Sequence, residues 1–289
     1  MSAPTAAARR PFTVRRFARK YLLGAVAILV SIVVFLVPFV FVLLQASKNP
    51  REAGLMQFAL PAQSQFWRNF AEVIQTNNFQ LLAAFINSIA LTVVSVAIMV
   101  VFSAMVGYLL QRRRSRLNPV VNFFVLAGLI APPAVVPTIW VLQRLGIFDT
   151  LPGMILIEAT FGLSFAILLF RAFVATIPRE LDEAAIIDGA GAMRLFFGVI
   201  LPLLRPVIVT VIVVQAVAVF NDFTGPLYFL PGSDNPTVQL TLYNFQSQSV
   251  SQNNLLFMNI LLITIPPLIM YIFFNRQIVA GMTSGAVKG

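Results

Sequence analysis

The chain lacks both cysteine and histidine. It can therefore form no disulfide, no thiolate nucleophile, no Cys/His metal site and no Ser-His-Asp arrangement of its own. Charge is scarce too: 10% of the 289 residues are Asp, Glu, Lys or Arg, against about 25% in ordinary soluble domains. No GxxxxGK[ST] run occurs, so the chain carries no Walker-type phosphate loop. No internal repeat stands out, which speaks against the inverted-repeat secondary transporters. No paired-acid motif is expected on adjacent helices, which disfavours a membrane-embedded enzyme.

What is present is apolar. Hydrophobic residues make up 59% of the chain and the mean hydropathy is +0.89. One protein core cannot hide that much apolar surface from water, so lipid must solvate much of it. A bilayer crossing takes about 20 apolar residues, and the charge-free runs predict an all-α polytopic membrane protein with six transmembrane helices. These are expected near 22–45, 84–110, 117–143, 154–174, 206–224 and 256–275. The third is expected to be broken or bent by Pro132, Pro133 and Pro137. A basic arm (1–20) precedes a single transmembrane domain (21–275), and a tail (276–289) follows. The stretches 48–83 and 226–255 read as polar loops on one side, the latter as a flexible one.

Charge orients this array. Segments 1–20, 111–119, 171–205 and 276–289 hold sixteen of the twenty Lys and Arg residues, and the opposite side holds four. Positive residues collect on the cytoplasmic side, so both termini are expected in the cytoplasm. Because the basic runs flank apolar spans, a lipid surface accounts for them better than nucleic acid.

The connection between the fourth and fifth helices, 178–203, is far longer than a simple return of the chain requires. Glu180, Asp182 and Glu183 stand where a helix dipole favours acids. Gly189 and Gly191 end that helix or permit close approach. An apolar helix around Leu195–Ile200 follows, with Pro202 as its expected stop. Such an element is either a docking helix for another protein or an interfacial helix lying on the membrane.

Glu183-Ala184-Ala185, Gly189, Val199 and Leu201-Pro202 together resemble the EAA loop of ABC importer permeases. Asp188, within Ile187-Asp188-Gly189-Ala190, matches the form found in carbohydrate importers. Val199 stands where Ile is usual. Asn87-Ser88, Leu145-Gly146 with Thr150 and Asn221-Asp222-Phe223 resemble further stretches of the same family, and the ending 279–289 is similar to that of the smaller permease of maltose-type importers. Glu158 departs from that pattern, which has a neutral residue there.

The resemblance implies a non-catalytic permease with no cofactor of its own, paired with a second, homologous permease. It implies two ATPase subunits, which bind ATP and Mg, and an extracytoplasmic sugar-binding protein or lipoprotein. Glu183, Ala184, Ala185, Asp188, Gly189, Leu201 and Pro202 would couple to an ATPase. Gly281, Gly285 and Lys288 would touch the ATPase from the tail. Asn221, Asp222 and Glu158 are candidates for the translocation pathway, with helix capping and interfacial burial as the plainer readings. The competing function is a stand-alone ion-coupled transporter or channel, which would have no ATPase to dock. The expected location is a bacterial inner membrane.

Overall fold

A computed structural model describes residues 14–232, 234–248 and 252–286, with side chains left aside for 14–21, 23, 244–248 and 275–286. Among the described residues there are helices and no strand. Four helices are long and apolar enough to cross a bilayer. The first, α1 (Val14–Ala46), carries its apolar run over Gly24–Ala46, of which residues 24–40 lie open, as a lipid-facing stretch must. Its far end closes onto the short α2 (Pro50–Gly54).

The long α3 (Phe66–Arg112) is interrupted at Thr76–Phe79, where Asn77, Asn78 and Phe79 take positive φ. Asparagine tolerates that region better than most residues. The break divides a short amphipathic first part from the membrane crossing. The stretch 48–83, expected as a loop, is therefore largely helical.

Next come α4 (Asn118–Ile130) and α5 (Val135–Arg144), bent by 116° across Ala131–Ala134. Pro132 and Pro133 lie inside the break and forbid a continuous hydrogen-bond ladder there. The helix α6 (Leu151–Val174) starts at Thr150, whose Oγ1 accepts from Gly153 N at 3.2 Å. It starts three residues earlier than the apolar run suggested, because Thr150 caps it and Pro152 fits its first turn.

Two short helices then form the expected loop: α7 (Glu180–Ile187) and α8 (Ala192–Leu203). The latter bends by 74° into α9 (Arg205–Phe220). Two further short helices, α10 (Thr224–Phe229) and α11 (Val238–Gln248), occupy the segment expected as a flexible loop. Finally α12 (Asn253–Ala286) runs on past the expected end of the last span. If each bent pair is one crossing, the crossings number six.

Four apolar clusters lie along the bundle among the described residues, the smallest being Leu110, Val125 and Ile167 between α3, α4 and α6. One joins Ala104 of α3, Phe170 and Val174 of α6, and Val207 and Val211 of α9 to Leu195, Phe196 and Ile200 of α8. A middle cluster contains Met99, Met154, Ile157 and Val219. At the opposite end Ala46, Val73, Leu81, Val238 and Met258 bring α1, α3, α11 and α12 together. The helix α6 is the hub, packed along α3 and also against α4, α9 and α10. Small residues let it serve so many neighbours. A Cβ on Gly107 of α3 would lie 2.9 Å from Arg171 N and from Phe170 Cβ.

Candidate functional site

The first turn of α7 holds Glu180, Asp182 and Glu183, where carboxylates meet the positive end of the peptide dipoles. Residues 182 and 185 share one helical face. Asp182 and Ala185 are accordingly buried, while Glu183, Ala184, Ile186 and Ile187 point away from the bundle.

The end of α7 is a Schellman motif. Ala190 N donates to Ala185 O at 2.9 Å and Gly189 N donates to Ile186 O at 3.0 Å. That closure needs a left-handed residue at its second position, and Gly189 has φ +79°. No atom of this chain lies within 4 Å of a Cβ placed there. The glycine is thus required by backbone conformation rather than by internal crowding. Gly191 shares the open space but has φ −68°, which any residue adopts.

Beyond it, α8 turns back onto the bundle. Residues Leu195–Ile200 widen into a π-helical turn, which brings Leu195, Phe196 and Ile200 into the core. Pro202 does not stop the helix as expected. It sits inside the last turn, and the chain bends at Leu204–Arg205. A proline ring collides with the carbonyl four residues back, and the widened turn just before it relieves that collision.

The outward side of this element is apolar. Ile187 is 84% exposed and Met193 64%, values that suit a surface awaiting a partner rather than water. Beside it a cleft of about 530 Å³ opens between α7, α8 and the end of α3. Met105, Leu109, Arg113, Arg179, Glu183 and Ile186 are among its walls.

An ion pair absent from the sequence reading anchors the element. Arg112 Nε, at the end of α3, lies 2.7 Å from Asp182 Oδ2, a charge contact rather than an aligned hydrogen bond. Tyr108 Oη donates to Asp182 Oδ1 at 3.2 Å. Arg112 Nη2 donates to Ile177 O at 2.8 Å. Arg112 was expected only to set topology or meet lipid. The available signal was the i, i+4 spacing of Tyr108 and Arg112 at the end of a span, but nothing in the sequence showed that Asp182 faced them.

The pathway candidates lie at the other end. Asn221 is exposed and closes α9, donating to Val217 O at 2.9 Å. Asp222 accepts from Thr224 N at 3.0 Å and from Gly225 N at 2.9 Å, so it caps α10. Glu158 is buried two turns inside α6, deeper than expected because the helix starts earlier. Its carboxyl meets that of Asp222, while Glu158 Oε1 has no hydrogen-bond partner. Asp222 lies between α9 and α10, on neither helix, so tertiary packing rather than any motif brings it to Glu158.

Asn87 and Ser88 also acquire a definite task. Asn87 Nδ2 donates to Pro236 O at 3.0 Å and Ser88 Oγ accepts from Val238 N at 3.0 Å. Together they pin the start of α11 to α3. Of the tail residues, Gly281 and Gly285 lie within the helical backbone of α12, and Lys288 lies outside the described residues.

Comparison with known proteins accords with this arrangement. The chain is 29% identical over 279 residues to the melibiose/raffinose/stachyose import permease protein MelC of Bacillus subtilis, covering 95% of this chain and all of that one. It is 31% identical over 278 residues to the diacetylchitobiose uptake system permease protein NgcG of Streptomyces coelicolor, covering 95% and 90%. In fold it is similar to a bacterial ABC transporter involved in the import of the acidic polysaccharide alginate. There the TM-score is 0.79 at 22% identity, over 92% of this chain and 99% of that one. Residues 99–284, which include α6 to α9 and the whole α7–α8 element, match the model of one family. The chain belongs to the binding-protein-dependent transport system inner membrane component family.

Proposed function

We propose that this chain is a transmembrane permease subunit of an ATP-driven, binding-protein-dependent carbohydrate importer. It forms half of the translocation pathway beside a second permease and takes its power stroke through α7. The observation that carries the reading is the α7–α8 element itself, with Glu183 and Ala184 outward, Ala185 packed against the bundle and Gly189 left-handed within the family's matched region. Carbohydrate as the substrate class is supported by the names of the two relatives above, import permeases for melibiose, raffinose and stachyose and for diacetylchitobiose.

In this reading both termini are cytoplasmic and α7 docks in a cleft of an ATPase subunit that binds ATP and Mg. An extracytoplasmic sugar-binding protein delivers substrate to the opposite face. Asn221, exposed at the end of α9, borders the sugar route. Asp222 and Glu158 shape the joint behind it. The tail carrying Gly281, Gly285 and Lys288 reaches toward the ATPase.

The test is Glu183→Lys. Removing one partner of a partly buried charge pair at an interface costs about 2–5 kcal/mol. The ATPase should therefore be lost on co-purification while the permease still inserts in the membrane. Undiminished retention of the ATPase would leave α7 as a membrane-surface helix.

A further inference from the structure

The outward face of α7 explains how an ATPase could hold this chain, but not how a pull on α7 reaches the spans. The element rests on the bundle through apolar packing of Ala185, Leu195, Phe196 and Ile200, and its polar connection runs through a few side chains. On one side α7 is joined to α6 by Ala175–Arg179, outside any helix. On the other it is joined to α9 through Gly189–Gly191, a π-helical turn and a 74° bend. Both covalent routes are compliant. The rigid route is lateral, where Asp182 enters the bundle and meets α3.

There the side chains of Arg112 and Asp182 are 9% and 12% exposed. The guanidinium reaches Asp182 and, through Nη2, the carbonyls of Ile177 at 2.8 Å and Pro178 at 3.4 Å. One side chain of α3 thus grips α7 and the link preceding it. Tyr108, one turn earlier on α3, holds the second carboxylate oxygen. Its ring packs on Phe196 of α8, centroids 5.7 Å apart. Immediately beside this clamp α3 and α6 are locked by the close approach at Gly107. A displacement of α7 is therefore delivered to α3 and α6 as one body, while the bend at Leu204–Arg205 lets α9 follow at a different angle.

We infer that Asp182, Arg112 and Tyr108 are positioning residues that transmit ATPase motion from the coupling element to α3 and α6. The inference rests on the docking of α7 proposed above. It assigns the buried face of α7 a task separate from that of the exposed face: Glu183 and Ile187 hold the ATPase, and Asp182 passes on its stroke.

The experiment uses the full permease complex with its ATPase, reconstituted in liposomes, carrying Asp182→Asn, Arg112→Gln or the mild Tyr108→Phe. Three quantities are read: ATPase bound per permease, the KM for ATP, and the maleimide labelling rate of a cysteine placed at Asn221. The last is compared without nucleotide and with ATP plus vanadate. Asp182→Asn and Arg112→Gln should keep the ATPase bound and its KM for ATP unchanged. The nucleotide-dependent change in labelling at residue 221 should fall about tenfold, and about twofold in Tyr108→Phe. A stranded partner is worse than none, so the double variant Arg112→Gln/Asp182→Asn should be no more impaired than either single one.

A labelling response of parental size, or one that falls only in step with the amount of assembled complex, would overturn the inference. The docking reading fails on a different arm. If Glu183→Lys retains its ATPase, α7 is not the docking helix, whatever Arg112 and Asp182 do.

Discussion

At the scale of single residues, Gly189 shows how a motif position becomes a physical requirement. Its φ of +79° closes the Schellman turn, and no neighbour within this chain crowds it. A residue with a Cβ pays about 1–2 kcal/mol for the left-handed conformation, and a β-branched one more. Gly189→Val should therefore disorder the α7–α8 corner and loosen ATPase binding. Gly189→Asn should be milder, since asparagine visits this region. Gly191→Ala, at φ −68°, should leave the corner intact. Limited proteolysis of the purified permease and co-purified ATPase report both effects. The position of Gly189 was legible in the sequence because the spacing to Glu183 and Pro202 marks it. The burial of Asp182 was not legible, since neighbouring acids in one helical turn look alike until something packs on one of them. Glu158 and Asp222 repeat the point. They are 64 positions apart, and only the packing of α10 against α6 brings their carboxyls together.

Among elements, α3 and α6 make the most extensive contact of any pair, and that contact depends on an absent side chain. A Cβ at Gly107 would come within 2.9 Å of backbone on α6. Backbone cannot swing aside, so Gly107→Ala should push the helices apart at a cost of about 1–3 kcal/mol. The measurement is the thermal midpoint of the detergent-solubilised permease, which should drop by several degrees. The start of α11 depends on a hydrogen bond instead. Ser88→Ala removes the acceptor for the buried N–H of Val238, a loss of about 1–3 kcal/mol. It should speed hydrogen exchange around 236–241 without disturbing the spans. Lengths of elements were the least legible feature. Residues 66–75 and 238–248 carry mixed polar and apolar side chains, and hydropathy alone reads such stretches as loops. Their helicity is sustained by one apolar face each, placed against α12 and α3. The break at Thr76–Phe79 also hides in a charge-free run, where composition has no reason to end a helix.

For the whole molecule, orientation is the property that the apolar spans leave open and the charges decide. Sixteen of twenty basic residues fall on one side of the inferred array. The absence of cysteine makes this simple to check. Ser64→Cys and Ser115→Cys occupy exposed positions on opposite sides. An impermeant maleimide applied to intact cells or spheroplasts should label the first and spare the second until the membrane is opened. The reverse pattern would invert the topology and place α7 away from any cytoplasmic ATPase. The sequence by itself determined the solvent, the helical class, the approximate spans and the place of the Glu183–Gly189 motif between two of them. Each of these follows from composition or from residues close in the chain: hydropathy over about 20 residues, charge beside a span, a motif within one loop. Tertiary structure alone decided which face of α7 is buried, that Arg112 and Tyr108 hold it, that Glu158 meets Asp222, and that Asn87 and Ser88 pin α11. Those contacts join residues 64 to 150 positions apart. Side-chain interactions of that kind depend on distances of a few ångströms, which the packing of helices sets and a local pattern does not encode.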